Sequence, residues 1–230
     1  MDWIILIAAA FGAGVLNTIA GGGTFLTFPA LVFAGLPPVA ANATSAVAVL
    51  PGYLSGTIGF ARELRTIERA LILRLTLWTL IGGLIGAGLL MVSSNAAFSA
   101  IVPFLLLAAT LIFVFAAPLR TWASHNARAV TPYGAIGLIL VSVYGGYFNG
   151  GLGIVLLALF SMWGMSNIHQ MNGLKNWLSF ALSAISVLAF AIGGYSGAPI
   201  AKALPPSAVS RIVIAVGFGM SAIYFARQFL

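Results

Sequence analysis

Long stretches without a charged side chain constrain this chain more than any other feature. No charge lies between Asp2 and Arg62, and residues 75–119 and 129–174 are also uncharged. A helix needs about 20 apolar residues to cross the hydrocarbon core of a bilayer, so each stretch can hold at least one membrane span. Only 6% of the 230 residues are charged, which is too few for the surface of a soluble domain. The sequence therefore predicts an all-α polytopic membrane protein.

A glycine-rich break interrupts two of the hydrophobic segments. The first break is Gly-Gly-Gly at 21–23, and the second is Gly-Gly-Leu-Gly at 150–153. A shift of 130 residues superposes the two breaks and also places Asn42 on Asn172. Paired breaks in the two halves of an apolar chain are typical of transporters that consist of structural repeats and bind substrate between them. We therefore expect two structural repeats with a site at their interface.

Turn signals and charges divide the chain between the two repeats. We predict a first repeat at 1–117, a cytoplasmic connecting loop at 118–131, and a second, shortened repeat at 132–230. The first repeat is predicted to contain a broken segment at 3–35 and helices at 38–60, 70–91 and 96–116. The second is predicted to contain a broken segment at 133–164 and helices at 168–193 and 206–228. Under the shift of 130, the last helix of the first repeat has no counterpart.

Each broken segment is too long for one straight span. A continuous helix of about 33 residues would be ~50 Å long, against a hydrocarbon core of ~30 Å. We therefore expect each segment to form a re-entrant helical hairpin with the glycines at its tip. A hairpin adds no net crossing, so the second repeat would be inverted relative to the first. Parallel repeats stay open, because both topologies leave most basic residues in the cytoplasm.

The localisation follows from the same charge pattern. Basic residues collect in the predicted loops at 61–69 and 118–131, as they do in cytoplasmic loops. The acidic start Met-Asp-Trp at 1–3 lacks the positive region of a signal peptide. We expect a multi-pass protein of the cell (inner) membrane with its N-terminus outside the cytoplasm.

Polar groups near the breaks predict an anion site. Irregular backbone inside a bilayer is tolerated where it lines a cavity, and the helices that begin near Thr24 and Ile154 would present the positive ends of their dipoles. Lys175 is the only formal charge well inside a predicted span, and such a charge usually marks a substrate or ion pathway. The alternatives are that the glycines only allow close helix packing and that Lys175 snorkels to the interface.

The candidate substrate-binding residues lie at the breaks and on the helix that follows each break. They are Asn17, Thr18, Gly21, Gly22, Gly23, Thr24, Asn42, Thr44, Ser45, Asn149, Gly150, Gly151, Gly153, His169, Asn172, Lys175 and Asn176.

Other kinds of site are not expected. The chain has no cysteine, and its three acids, Asp2, Glu63 and Glu68, lie at an end or in a loop, so we expect no metal, no cofactor and no carboxylate for a sodium site. An enzyme is disfavoured because no nucleophile–base pair is present. The net charge of +7 lies in short connections and is not a nucleic-acid signal. The predicted partners are a small anion and the lipid bilayer, with a homodimer left open.

The same motifs resemble the TauE/SafE (TSUP) family, which is described as sulfite and organosulfonate exporters. The matching features are the first break with Pro29, the turn Gly-Leu-Pro at 35–37, and Asn-Ala-Thr-Ser at 42–45. Asn-Gly-Leu-Lys-Asn at 172–176 is similar to the family's repeated counterpart, whereas the second break lacks a following proline. The resemblance implies export of a small sulfur-containing or organic anion, which we expect to occur by alternating access at the repeat interface. An anion channel, a carrier for a carboxylate without sulfur, and a membrane scaffold stay open.

Overall fold

A computed structural model describes residues 2–19, 21–115, 118 and 133–203, and all regular structure in these residues is α-helical. The prediction of an all-α chain is confirmed there. In chain order the helices are α1 (Asp2–Ile19), α2 (Thr24–Phe33), α3 (Pro38–Gly59), α4 (Ala61–Leu64), α5 (Arg69–Met91), α6 (Asn95–Val114), α7 (Ala135–Tyr147), α8 (Leu152–Met162) and α9 (Ile168–Ala203).

Both predicted breaks separate two helices. The first lies between α1 and α2, and the second lies between α7 and α8. The four helices contain 18, 10, 13 and 11 residues, which is fewer than the ~20 needed for a full span. The re-entrant path of these pairs and the inverted relation of the repeats stay predictions.

Two elements differ from the prediction. Helix α9 continues to Ala203 instead of ending at residue 193, because glycine and proline are weaker stop signals in a membrane helix, where neighbouring groups satisfy the backbone. The predicted charged loop at 61–69 contains the short helix α4. The predicted helix at 206–228 and the connecting loop, apart from Pro118, lie outside the described residues.

The outward surface of the helices is apolar. Two helical stretches, Arg69–Met91 and Ile168–Ile192, are each long and apolar enough to cross a membrane. Large hydrophobic side chains are also exposed on shorter helices, among them Ile4 at 75%, Phe104 at 69% and Ile136 at 77%. Such a surface is costly in water and is solvated by lipid. The structure therefore has the exterior of a membrane protein.

Helix α9 lies at the centre of the molecule and packs against α1, α3, α4, α5, α7 and α8. The most extensive contact between two helices joins α5 and α7. A Cβ added at Gly82 would lie 2.5 Å from the Cβ of Ser142, and one added at Gly86 would lie 2.7 Å from the backbone nitrogen of Tyr147. Small residues allow this close approach of two backbones in a membrane. Because Tyr147 ends α7, the contact with α5 positions the second break.

We expect Gly86→Leu to destabilise the protein by ~1–3 kcal/mol, because the added side chain overpacks the contact between α5 and α7. The measurement is the unfolding temperature of the detergent-purified protein, followed by tryptophan fluorescence. Gly88→Leu is the matched control, since a Cβ at Gly88 meets nothing within 4 Å. An equal fall in unfolding temperature for both variants would contradict this account of the packing.

Candidate functional site

The two breaks meet backbone to backbone at Gly21 and Gly153. The Gly153 N–H donates a hydrogen bond of 3.2 Å to the Gly21 carbonyl oxygen, and a Cβ at Gly21 would lie only 2.8 Å from the Gly153 carbonyl carbon. Gly21 has φ +83°, and Gly151, which the shift of 130 superposes on it, has φ +71°. Gly21 therefore requires glycine for both space and conformation, Gly151 for conformation, and Gly153 for space.

Helix starts and helix ends converge on this contact. Helices α2 and α8 begin directly after the breaks with Gly23 and Gly151 as N-caps, and neither start has a side-chain cap. The Gly23 N–H is satisfied instead by the Asn17 Oδ1 atom, at 2.6 Å. The positive dipole ends of α2 and α8 and the negative ends of α1 and α7 therefore lie close together in the interior.

Lys175 is fully buried beside the meeting breaks. Its Nζ donates hydrogen bonds to the carbonyl oxygens of Asn17 and Thr18, at 2.9 and 3.1 Å, and to Asn172 Oδ1 at 3.0 Å. Both carbonyls belong to the last turn of α1, where backbone acceptors have no partner within the helix. Lys175 therefore points inward and does not snorkel. All three hydrogen bonds of its ammonium end on neutral acceptors.

Asn42 makes the corresponding contact in the opposite direction, from α3 in the first half of the chain to α7 in the second. Its Nδ2 donates a hydrogen bond of 2.9 Å to the carbonyl oxygen of Tyr147, the last residue of α7. The shift of 130 superposes Tyr147 on Asn17 and Asn172 on Asn42. In each half of the chain, the helix after the broken segment, α3 or α9, thus supplies a side chain that binds the end of α7 or α1 in the other half.

Further hydrogen bonds connect the breaks to the surrounding helices. Asn149, which has a positive φ of 57°, accepts from the Tyr53 hydroxyl at 3.3 Å and donates to Ser183 Oγ at 3.1 Å. The Gly150 carbonyl accepts from the Tyr144 hydroxyl. The second break is therefore linked to α3, α7 and α9.

Ser45, which the shift of 130 superposes on Lys175, has a partner in the first half of the chain. Its hydroxyl pairs with the Thr27 hydroxyl of α2 at 2.5 Å, so it binds within its own half of the chain. The two halves are therefore chemically unequal at this position, with a neutral hydroxyl in one and an ammonium in the other.

The structure does not bring two predicted site residues to the meeting point. Thr44 and His169 are exposed, and the His169 ring stacks on Phe60 with 6.2 Å between centroids. Thr44 neighbours Ser45 in sequence, but successive residues of a helix point about 100° apart. Gly22 lies at the break with ordinary spacing, since a Cβ there would be 3.5 Å from the nearest atom.

Several buried polar atoms around the breaks have no hydrogen-bond partner. They are Asn17 Nδ2, Thr24 Oγ1, Asn42 Oδ1 and both amide atoms of Asn176. Each unsatisfied group costs about 1–3 kcal/mol, and native proteins contain few of them. A ligand that offers both charge and hydrogen-bond acceptors would satisfy the donors among them.

Sequence reasoning missed Tyr53, Thr27 and Ser183. The available signal was the spacing on α9, because Ser183 lies seven residues after Asn176 and so shares its face. Tyr53 and Thr27 gave no comparable signal, since their partners Asn149 and Ser45 lie in other elements.

The family model described as sulfite exporter TauE/SafE matches residues 6–225. The chain belongs to this family. The resemblance carried by the glycine breaks and the segments behind them is therefore confirmed, and the protein is a membrane transporter of the TauE/SafE family.

Curated relatives of this transporter carry the same general description. A probable membrane transporter protein of Haemophilus influenzae is 30% identical over 185 residues, which is 77% of this chain and 72% of the relative. The ORF9 probable membrane transporter protein of Sinorhizobium sp is 34% identical over 68% of this chain and 62% of its own length. The YfcA probable membrane transporter protein of Escherichia coli K12 is 28% identical over 83% of this chain and 70% of its own length. No solved structure gives a significant match.

Gly21→Ala is expected to disrupt the contact between the breaks, because the new Cβ collides with the Gly153 backbone and the residue has a positive φ. We expect a loss of at least ~1–3 kcal/mol in unfolding free energy, measured by thermal or denaturant unfolding in detergent. Gly22→Ala is the control within the same break, and its unfolding should stay close to that of the unmodified protein. A larger loss for Gly22→Ala than for Gly21→Ala would refute the described geometry.

Proposed function

We propose that this TauE/SafE transporter exports a small sulfur-containing anion, such as sulfite or a sulfonate, from the cytoplasm across the inner membrane. The proposed site lies where the two breaks meet. The observation that carries the proposal is the Lys175 ammonium, which is buried at this point and has only neutral hydrogen-bond partners.

The charge balance at the meeting point favours an anion. Lys175 is the one charged residue among the buried side chains that the structure describes. The ends of α1 and α7 carry partial negative charge and the starts of α2 and α8 partial positive charge, about half an elementary charge each. These four contributions offset one another, so the ammonium dominates the local field. A low-dielectric surrounding strengthens its attraction for an anion.

The unsatisfied donors suit the oxygens of a sulfur oxyanion. Asn17 Nδ2, the Thr24 hydroxyl and the Asn176 amide can each donate a hydrogen bond without breaking a bond that they already make. Sulfite and sulfonates present three oxygens around one sulfur atom, whereas a carboxylate presents two. The description of the matching family as sulfite exporters supports the same class of substrate.

Binding at Lys175 would couple the substrate to movement of the halves. The ammonium now binds the end of α1 in the first half of the chain, although Lys175 belongs to α9 in the second. An anion that takes over these hydrogen bonds weakens the connection between the halves. We propose that this weakening allows one repeat to rock against the other, which gives alternating access to the site.

Paired backbone features support the two-repeat arrangement. Gly35 follows the end of α2 by two residues with φ +92°, and Gly164 follows the end of α8 by two residues with φ +86°. In each case the next residue closes the helix end, with Leu36 bonding to Leu31 and Met165 bonding to the Phe160 carbonyl, which is the Schellman pattern. Similar starts and ends of the second half-helices fit two copies of one unit.

Direction is proposed from energetics. An inside-negative potential favours outward movement of an anion by ~2.3 kcal/mol per charge per 100 mV. No sodium-binding or proton-relaying carboxylate is found among the buried side chains described, so a carrier driven by the potential is the simplest form of the proposal.

We expect proteoliposomes containing the protein to transport sulfite or a sulfonate, faster when the potential drives the anion in the tested direction. Thiosulfate, sulfoacetate and acetate in the same assay define the substrate class, and protein-free liposomes are the control. A flux that does not depend on the sign of the potential would exclude export driven by the membrane potential alone. Single-channel currents in planar bilayers would indicate a channel instead of a carrier.

Lys175→Met should reduce anion flux at least tenfold, which corresponds to ~1.4 kcal/mol of lost binding, because the side chain keeps its length and loses its charge. Arg65→Gln is the matched control: it removes one positive charge from an exposed position and should leave flux unchanged. The unfolding temperature of both variants is measured in parallel. Full flux in a folded Lys175→Met protein would rule out the ammonium as the anion-binding group.

A further inference from the structure

Helix α9 carries a row of polar residues that continues beyond the site at the breaks. Asn172, Asn176, Ser179, Ser183 and Ser186 follow one another at alternating spacings of four and three, so they share one face of the helix. All five are at most 8% exposed. At 1.5 Å per residue the row is ~21 Å long, about two thirds of the ~30 Å hydrocarbon core. Close packing alone does not require polar side chains over such a length.

The row begins at the contact between α9 and α3. A Cβ at Gly56 of α3 would lie 2.8 Å from Asn176 Nδ2, and one at Gly173 of α9 would lie 3.3 Å from the Cβ of Phe60. The start of α9 therefore lies beside the end of α3, and the two helices are antiparallel. We call this contact, with the five polar residues of α9 and the facing side of α3, the α3–α9 seam.

Three residues of the seam have unsatisfied polar atoms. These are the hydroxyls of Ser179 and Ser186 and both amide atoms of Asn176, and all three residues are at least 98% buried. All three belong to the polar row, so the unpaired atoms follow one another along one face of α9.

Several hydroxyls elsewhere in the described residues are satisfied by the helix itself, although the Thr79 hydroxyl of α5 and the Ser142 hydroxyl of α7 are also unpaired. A serine or threonine can donate to the carbonyl four residues earlier, and Thr57, Thr76 and Thr110 all do so. Ser179 and Ser186 do not make this bond, although it is sterically available to any helical serine. Their hydroxyls therefore keep a free donor inside the seam, at a cost of about 1–3 kcal/mol each.

A hydrogen-bonded chain closes the middle of the seam. The Tyr53 hydroxyl of α3 donates to Asn149 in the second break, and Asn149 donates to Ser183 of α9. Tyr53 is fully buried and lies about one turn from Gly56. The largest side chain on this face of α3 is thus tied to α9 between the two unpaired serines.

We propose that the α3–α9 seam is the path by which a small oxyanion leaves the central site, with Asn176, Ser179 and Ser186 as successive hydrogen-bond donors. The Tyr53–Asn149–Ser183 chain is the constriction that opens for passage. This inference rests on the proposed function and names the route from its site. Neutral donors fit such a route, because they replace water around the anion without holding it as firmly as a charge would.

The polar row of α9 also starts beside the proposed anion site at Lys175. Asn172 accepts a hydrogen bond from Lys175, and Asn176 lies one turn further along the same face of α9. An anion bound at the ammonium would therefore meet the Asn176 amide as its next donor.

The chain contains no cysteine, which allows a direct test with introduced thiols. Single Ser179→Cys and Ser186→Cys variants, reconstituted in liposomes, are treated with 2-sulfonatoethyl methanethiosulfonate, an anionic thiol reagent that is itself a sulfonate. Leu182→Cys is the matched control, because Leu182 lies on the same helix at the same depth, is 1% exposed, and faces Gly83 of α5.

We expect the thiols of the two seam variants to react at least ~10-fold faster than that of Leu182→Cys, since only an accessible thiolate reacts. The mass increase of the intact protein measures the reaction. Seam thiols that react no faster than the control would overturn the path.

Anion flux separates this inference from the function on which it rests. The Ser179→Ala/Ser186→Ala double variant removes two donors without adding volume, and we expect its flux to fall about tenfold while its unfolding temperature rises, because two unsatisfied buried hydroxyls are lost. Wild-type flux with full flux in the double variant would overturn the path and leave the function standing. No anion flux in the wild-type protein would overturn both.

Discussion

The contact between the Lys175 ammonium and the last turn of α1 is the interaction on which the centre of this protein depends. The glycine break ends α1 inside the molecule and leaves carbonyls without a partner in the helix. A lysine on α9 places three hydrogen-bond donors where neither water nor lipid would solvate them cheaply. Each group is costly alone, and together they satisfy each other through the bonds to Asn17 and Thr18. The break and the lysine therefore form one structural unit, although 158 residues separate Lys175 from Asn17.

In both halves of the chain a broken helix ends inside the molecule, but the groups that bind the two helix ends differ in charge. Tyr147, at the end of α7, is bound by the neutral amide of Asn42, whereas the end of α1 is bound mainly by a charge. Ser45, which the shift of 130 superposes on Lys175, binds Thr27 in its own half instead of crossing. Both halves contain a glycine break, but only the second half contributes a buried charge, that of Lys175. A single positive charge at the meeting of two helix starts favours an anion without binding it as strongly as two would.

Residues whose roles depend on nearby sequence were predictable, and residues whose roles depend on distant contacts were not. The breaks follow from glycine in an apolar segment, and the inward position of Lys175 follows from the cost of its charge. Tyr53 was missed because its partner Asn149 lies 96 residues away. Thr44 was placed at the site because it neighbours Ser45, although it points to another side of α3. The continuation of α9 past residue 193 shows that glycine and proline end helices less reliably where lipid and neighbouring helices satisfy the backbone.

Two kinds of interface in this structure differ in what separating them would cost. Between α5 and α7, glycines bring backbones into direct contact, so any opening would lose close packing over most of the contact, although the Thr79 and Ser142 hydroxyls of these two helices are also unpaired. Along the α3–α9 seam, Asn176, Ser179 and Ser186 have polar atoms that make no bond in the closed form, so opening the seam to an anion or to water would supply partners that they lack. Because α5 and α7 also belong to different halves of the chain, rocking of the proposed kind should pivot at their contact and separate α3 from α9. The interface that opens is then determined by which buried polar groups lack hydrogen-bond partners, as well as by the division of the chain into repeats.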